Sequence, residues 1–120
     1  MKTNHGVAGG RWIAALALPA LACAANIPPP TNEWAAAQVD VGRAQAGGAP
    51  NVPNAKLHLQ LAQEDLAASK RLINQDNERA STLIMLATTE AQLALSLAQE
   101  ANALDKARTA EAGLTNSAGK

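Results

Sequence analysis

Between positions 80 and 101, apolar small residues recur at alternating steps of four and three: Ala80, Ile84, Ala87, Ala91, Ala94, Ala98 and Ala101. Residues so spaced lie on one stripe of an α-helix, and no strand register gathers them. Alanine along that stripe lets a second helix axis come close, while Leu83, Leu86, Leu93, Leu97 and Leu104 flank it and pack at the margins. Ala87, Ala91, Ala94, Ala98 and Ala101 are therefore the expected partner-binding seam, whether the partner is another helix of this chain or a second molecule. The helix itself is expected from Glu78 to about Ala112, stopped by Gly113, with Lys106 and Arg108 near its C-terminal end.

A second four-three series, Ala55, Leu59, Ala62, Leu66, Ser69 and Ile73, predicts a preceding helix capped by Asn54. Leu57, Leu61 and Leu72 widen its apolar face, which calls for burial against more than one neighbour. Asn74-Gln75-Asp76-Asn77 breaks the pattern with turn-forming residues. Two helices joined by so short a break are expected to form an antiparallel hairpin. Upstream, Thr31 or Asn32 is the candidate cap of a shorter helix running from Glu33 to Ala46. Gly47-Gly48, Pro50 and Pro53 end it in a loop. The expected fold class is all-α: a short N-terminal helix plus an Ala/Leu-rich hairpin with coiled-coil-like packing. Trp34 is expected to staple the first helix to the hairpin, the alternative being an anchor at a membrane interface.

The N-terminus reads as a targeting device. Lys2 and Arg11 precede an uncharged apolar run, Trp12 to Ala22, that ends in small residues. The run is about half of the roughly 20 residues that span a bilayer, so a permanent membrane helix is not expected there, nor from any later segment. Leu18-Pro19-Ala20-Leu21-Ala22-Cys23 resembles the bacterial lipobox, with Ala20 where leucine is usual. That resemblance implies that Cys23 is acylated and becomes the first residue of the mature protein. Two alternatives stay open: ordinary cleavage after Ala22 leaving a free thiol, or later cleavage that discards Cys23. The expected organisation is a signal peptide over 1–22, a lipidated cysteine with a Pro-rich spacer over 23–32, a helical domain over 33–112 and a flexible tail over 113–120. Pro28-Pro29-Pro30 makes the spacer extended and semi-rigid.

This order of parts resembles the domain-of-unknown-function 4398 family of small bacterial envelope proteins over about residues 28–110. The residues that carry the resemblance are Pro30, Glu33, Ala36, Ala37, Ala44, Ala46, Gly47, Pro53, Ala55, Leu59, Ala62, Ala67, Ala80, Ala87, Ala91, Ala94 and Ala98. The turn that usually holds alanine and tyrosine in that family reads Asn74-Gln75-Asp76-Asn77 here. The resemblance implies an envelope location and no known chemistry.

Acidic and basic residues balance at ten each, so no clustered cationic surface marks a nucleic-acid partner. The only aromatics are Trp12 and Trp34, and apolar volume built from Ala, Leu, Ile and Val suits helix contacts more than a pocket for a small-molecule substrate. One cysteine and two separated histidines give no metal-site spacing, and no phosphate loop or nucleophile elbow is present. His58 is expected as a surface or boundary histidine, and Glu64-Asp65 as solvated charge. No enzyme activity, cofactor, metal or catalytic residue is therefore expected. The expected function is a structural or protein-binding adaptor lipoprotein, held in an envelope membrane by Cys23 and associating with an envelope protein or its own copies. Ala24 after the cysteine points to the outer membrane, facing the periplasm. The rival expectation is a soluble periplasmic binding module. A third is a peptidoglycan tether through the ε-amine of Lys120.

Overall fold

The computed structural model describes residues 26–119, and Cys23 and Lys120 lie outside them. The described chain is all-α. Helix α1 spans Thr31–Ala46, α2 Pro53–Leu72 and α3 Asn77–Ala118, with one 3₁₀ turn at Ala49–Asn51 between the first two. Burial falls on the four-three rows: Ala37, Val41 and Ala44 from α1; Ala55, Leu59, Ala62, Leu66 and Ser69 from α2; Ala80, Ile84, Ala87, Ala91, Ala94 and Ala98 from α3. Ala49 of the 3₁₀ turn joins the same core. The one buried polar side chain in it, Ser69, donates to the Leu66 carbonyl at 2.8 Å, so its hydroxyl costs the core little.

Helix starts differ from the sequence expectation at two places, both for the same reason. Pro30 occupies the cap position of α1, and its carbonyl accepts the Trp34 amide at 3.0 Å. Thr31 and Asn32 are thereby drawn inside the helix and neither caps it. At α2 the extended residue Val52 precedes Pro53, which takes the first helical position, and Val52 accepts the Lys56 amide at 2.8 Å. Proline lacks an N–H that the first turn leaves unpaired anyway, and the residue before it is pushed to extended angles. Asn54 is consequently helical, not the cap.

Only α3 begins on a side-chain cap. Asp76 accepts the Arg79 amide at 3.0 Å, and Glu78 adds negative charge at the positive end of the helix. The turn before it places Asn74 at φ 70°, a left-handed conformation asparagine tolerates, with its amide on Asn77 Oδ1 at 2.8 Å. Asn77 Nδ2 also donates to the Ile27 carbonyl at 2.8 Å, tying the Pro-rich segment to this turn.

The far end of α3 corrects another expectation. Gly113 does not stop the helix, which continues to Ala118. A helical glycine costs about 1 kcal/mol relative to alanine, which the surrounding Ala-rich stretch offsets once propagation has begun. Gly48, by contrast, ends its helical run because it sits at φ 94°, and its amide reaches the Gln45 carbonyl at 3.2 Å.

The expectation that no segment beyond the leader is long and apolar enough to cross a membrane is also overturned. By length and composition α3 qualifies. Of its apolar stretch 28% is buried, the alanine row of α3 being packed on α1 and α2.

Candidate functional site

The alanine seam is where the chain closes on itself. Ala87, Ala91, Ala94 and Ala98 are fully buried against residues of α1, α2 and the 3₁₀ turn, and Ala101 is half-buried at its end. These side chains are occupied within one chain, so a second molecule reaches them only by displacing α1 or α2. From Asn102 to Gly119 every residue is exposed. Asn102 marks the border, its Nδ2 lying 3.4 Å from the Gly47 carbonyl.

Trp34 acts as a staple. Its indole Nε1 donates to the Leu66 carbonyl at 3.1 Å, its ring packs on the core, and the Lys70 ammonium stands 5.1 Å from the ring centroid. The bond binds the first turn of α1 to the later half of α2 and accounts for the single aromatic in the described chain.

One polar cluster bridges helices, and its members come from distant parts of the sequence. His58 Nδ1 meets Glu90 Oε2 at 2.5 Å, joining α2 to α3, with both side chains a little over a quarter exposed. Asp65, two turns after His58, is half-buried nearby. Burial first, then the carboxylates of Glu90 and Glu64, pushes the Asp65 carboxyl above its ordinary value. Solvated charge is the sequence expectation for both Glu64 and Asp65; Glu64 is exposed, but Asp65 is half-buried and within the influence of Glu90 on α3. The pairing of His58 with Glu90 spans 32 residues, and no local spacing announces it. The contact ties α2 to α3, and among the described residues no hydroxyl or thiol is bonded to His58. Among the described residues no group of three or more His, Cys, Asp or Glu is placed to hold a metal ion.

Large apolar side chains left in water lie mainly on α2 and α3. Leu57 and Leu61 of α2 and Leu86 and Leu93 of α3 are exposed by between 39% and 55%; of the three leucines expected to widen the buried face of α2, only Leu72 is half-buried. The physical reason is the placement of α1. Leu86 and Leu93 lie one turn either side of Glu90, and Leu61 one turn after His58, so they share the flank that the His58–Glu90 contact marks. Helix α1 packs elsewhere, beside Ile84, Met85 and Thr88 of α3 and Leu66 and Lys70 of α2, and among the described residues it leaves that flank uncovered. No family model, curated protein or solved structure matches the chain.

Proposed function

We propose that the chain is a non-catalytic envelope lipoprotein, akin to the domain-of-unknown-function 4398 family, that acts as a structural or protein-binding adaptor. In this reading acylated Cys23 holds it in the outer membrane, and the helices project into the periplasm. Helices α2 and α3 form an antiparallel hairpin with coiled-coil-like Ala/Leu packing, braced on one side by α1. The uncovered flank of the hairpin meets a protein partner.

The observation that supports the reading is the set of leucines on that flank, Leu61, Leu86 and Leu93, which stay exposed while alanines fill the interior. Clustered apolar side chains left in water mark interaction surfaces more often than chemistry. The experiment has two arms. Metabolic palmitate labelling is expected in the parent and lost in Cys23→Ser; an unlabelled parent sinks the anchor, and an unmodified mature mass in the soluble periplasmic fraction turns the reading into a soluble binding module. A photo-crosslinking residue at Leu93 is expected to capture a protein that the same residue at exposed Gln60 does not. Equal capture at both positions removes the adaptor role.

A further inference from the structure

A second surface lies on the other side of the molecule. Between α1 and α3 runs an open cleft of about 350 Å³ whose floor is apolar, formed by Ala36, Ile84 and Met85. Met85 is 63% exposed although it sits beside a buried isoleucine, and its unbranched thioether can adapt to an incoming apolar surface. The α1 rim carries two carboxylates, Glu33 and Asp40. Glu33 has no ion-pair partner among the described residues, and Asp40 pairs only with Arg43 of its own helix at 3.2 Å. The Arg43 side chain is 67% exposed, so an incoming cation can replace it at small cost. Seven residues separate the two acids, about 10 Å along the helix, which matches two turns of a docked helix.

We propose that this cleft docks a basic amphipathic helix of a partner protein, its apolar side chains against Ile84 and Met85 and its Lys or Arg groups against Glu33 and Asp40. The proposal rests on the adaptor reading and adds a second docking surface to it. A foreign helix fits better than the other occupants. An anionic lipid surface is repelled by the acidic rim. The exposed end of α3 in a second copy carries Asp105 and Glu111 as well as Lys106 and Arg108, so it brings no net positive charge to that rim. An open trench also suits a row of side chains more than one small molecule, which an enclosed pocket buries almost completely.

The test uses the full chain and a synthetic helix-forming peptide of about four turns, with leucines on one face and lysines flanking them, followed by fluorescence anisotropy. Met85→Lys and Glu33→Lys are each expected to weaken binding about tenfold or more, because one removes the apolar anchor and the other reverses the rim. Gln60→Lys adds the same single positive charge as Met85→Lys, and Glu64→Lys reverses a charge as Glu33→Lys does; both lie on exposed positions of α2 and are expected to leave binding unchanged. A peptide with glutamates in place of lysines is expected to bind Glu33→Lys more tightly than the parent. Circular dichroism melts matching the parent show that each variant folds. Equal weakening by Gln60→Lys, or no binding to the parent, overturns the proposal. So does co-sedimentation of the peptide-free chain with phosphatidylglycerol vesicles that Met85→Glu abolishes, which assigns the surface to lipid, or self-association of the parent that Met85→Lys abolishes, which assigns it to a second copy. Failure here with continued protein capture from Leu93 leaves the adaptor reading standing.

Discussion

Asp65 carries a cost that the fold sets against its packing. Its carboxyl is raised by burial and by the neighbouring Glu90 and Glu64 carboxylates, so the folded chain holds that proton to a higher pH than the unfolded chain does. Stability from this group is therefore greatest below the ordinary carboxylate pKa and falls as pH rises through the folded value. Asp65→Asn is expected to raise the melting temperature at neutral pH and to leave it unchanged in strongly acidic buffer; an equal gain at both ends of a pH series of thermal melts contradicts this. The two glycines after α1 also separate by cause. Gly48 sits at φ 94° with only Asn102 Nδ2 within ordinary contact of an added methyl, so Gly48→Ala meets backbone strain of about 1–2 kcal/mol. Gly47 faces the tip of Leu95, a flexible side-chain end that can turn away, and the Arg43 carbonyl at 3.1 Å. Gly47→Ala is expected to cost less than Gly48→Ala in urea unfolding, and the reverse order contradicts the strain argument. The His58–Glu90 contact was not legible from the sequence, because nothing local distinguishes one partner glutamate of α3 from another 32 residues away.

At the scale of elements, the alanine rows were legible because a residue too small to hold back a neighbouring helix is informative wherever it repeats at helical spacing. Ala91 is fully buried and Gln92 is exposed, one residue and about 100° apart. Ala91→Glu is expected to lower unfolding free energy by about 3 kcal/mol or more, since it buries an unpaired charge in a closed seam, while Gln92→Glu stays within about 0.5 kcal/mol. Equal shifts in chemical denaturation contradict the close packing. Helix ends were less legible. Pro30 and Val52 took cap positions assigned to polar neighbours, since a carbonyl presented at the right place starts a helix without any side chain. Gly113 is a stop signal that the alanines around it outweigh. Residues 103–118 belong to α3 yet bury no side chain. Truncation after Asn102 is expected to reduce helical ellipticity in proportion to the residues removed while leaving the melting temperature nearly unchanged; a large drop in melting temperature shows that this end supports the core.

The whole molecule is directional. Asn77 ties Ile27 to the turn where α3 begins, so the Pro-rich segment enters beside one end of the longest helix. From that end α3 runs for 42 residues, about 63 Å, and the core accompanies it only as far as Ala98. Spin labels at Gln75 and Ser117 are expected to give one pulsed-EPR distance near 60 Å, the length of a straight helix; a short or broad distribution contradicts a continuous α3. Neither the tie nor the length was readable from composition, because one depends on a side-chain amide finding a carbonyl 50 residues away and the other on a glycine failing to stop a helix. The tie makes the chain a boom held at one pole. A load carried at Ala118 stands some 60 Å from the point where residue 27 meets the turn, and small tilts at that point swing it through wide arcs. Removing the Nδ2 donor alone, by Asn77→Asp, which keeps an oxygen for the Asn74 amide, thus frees residue 27 from the turn while leaving the core contacts in place.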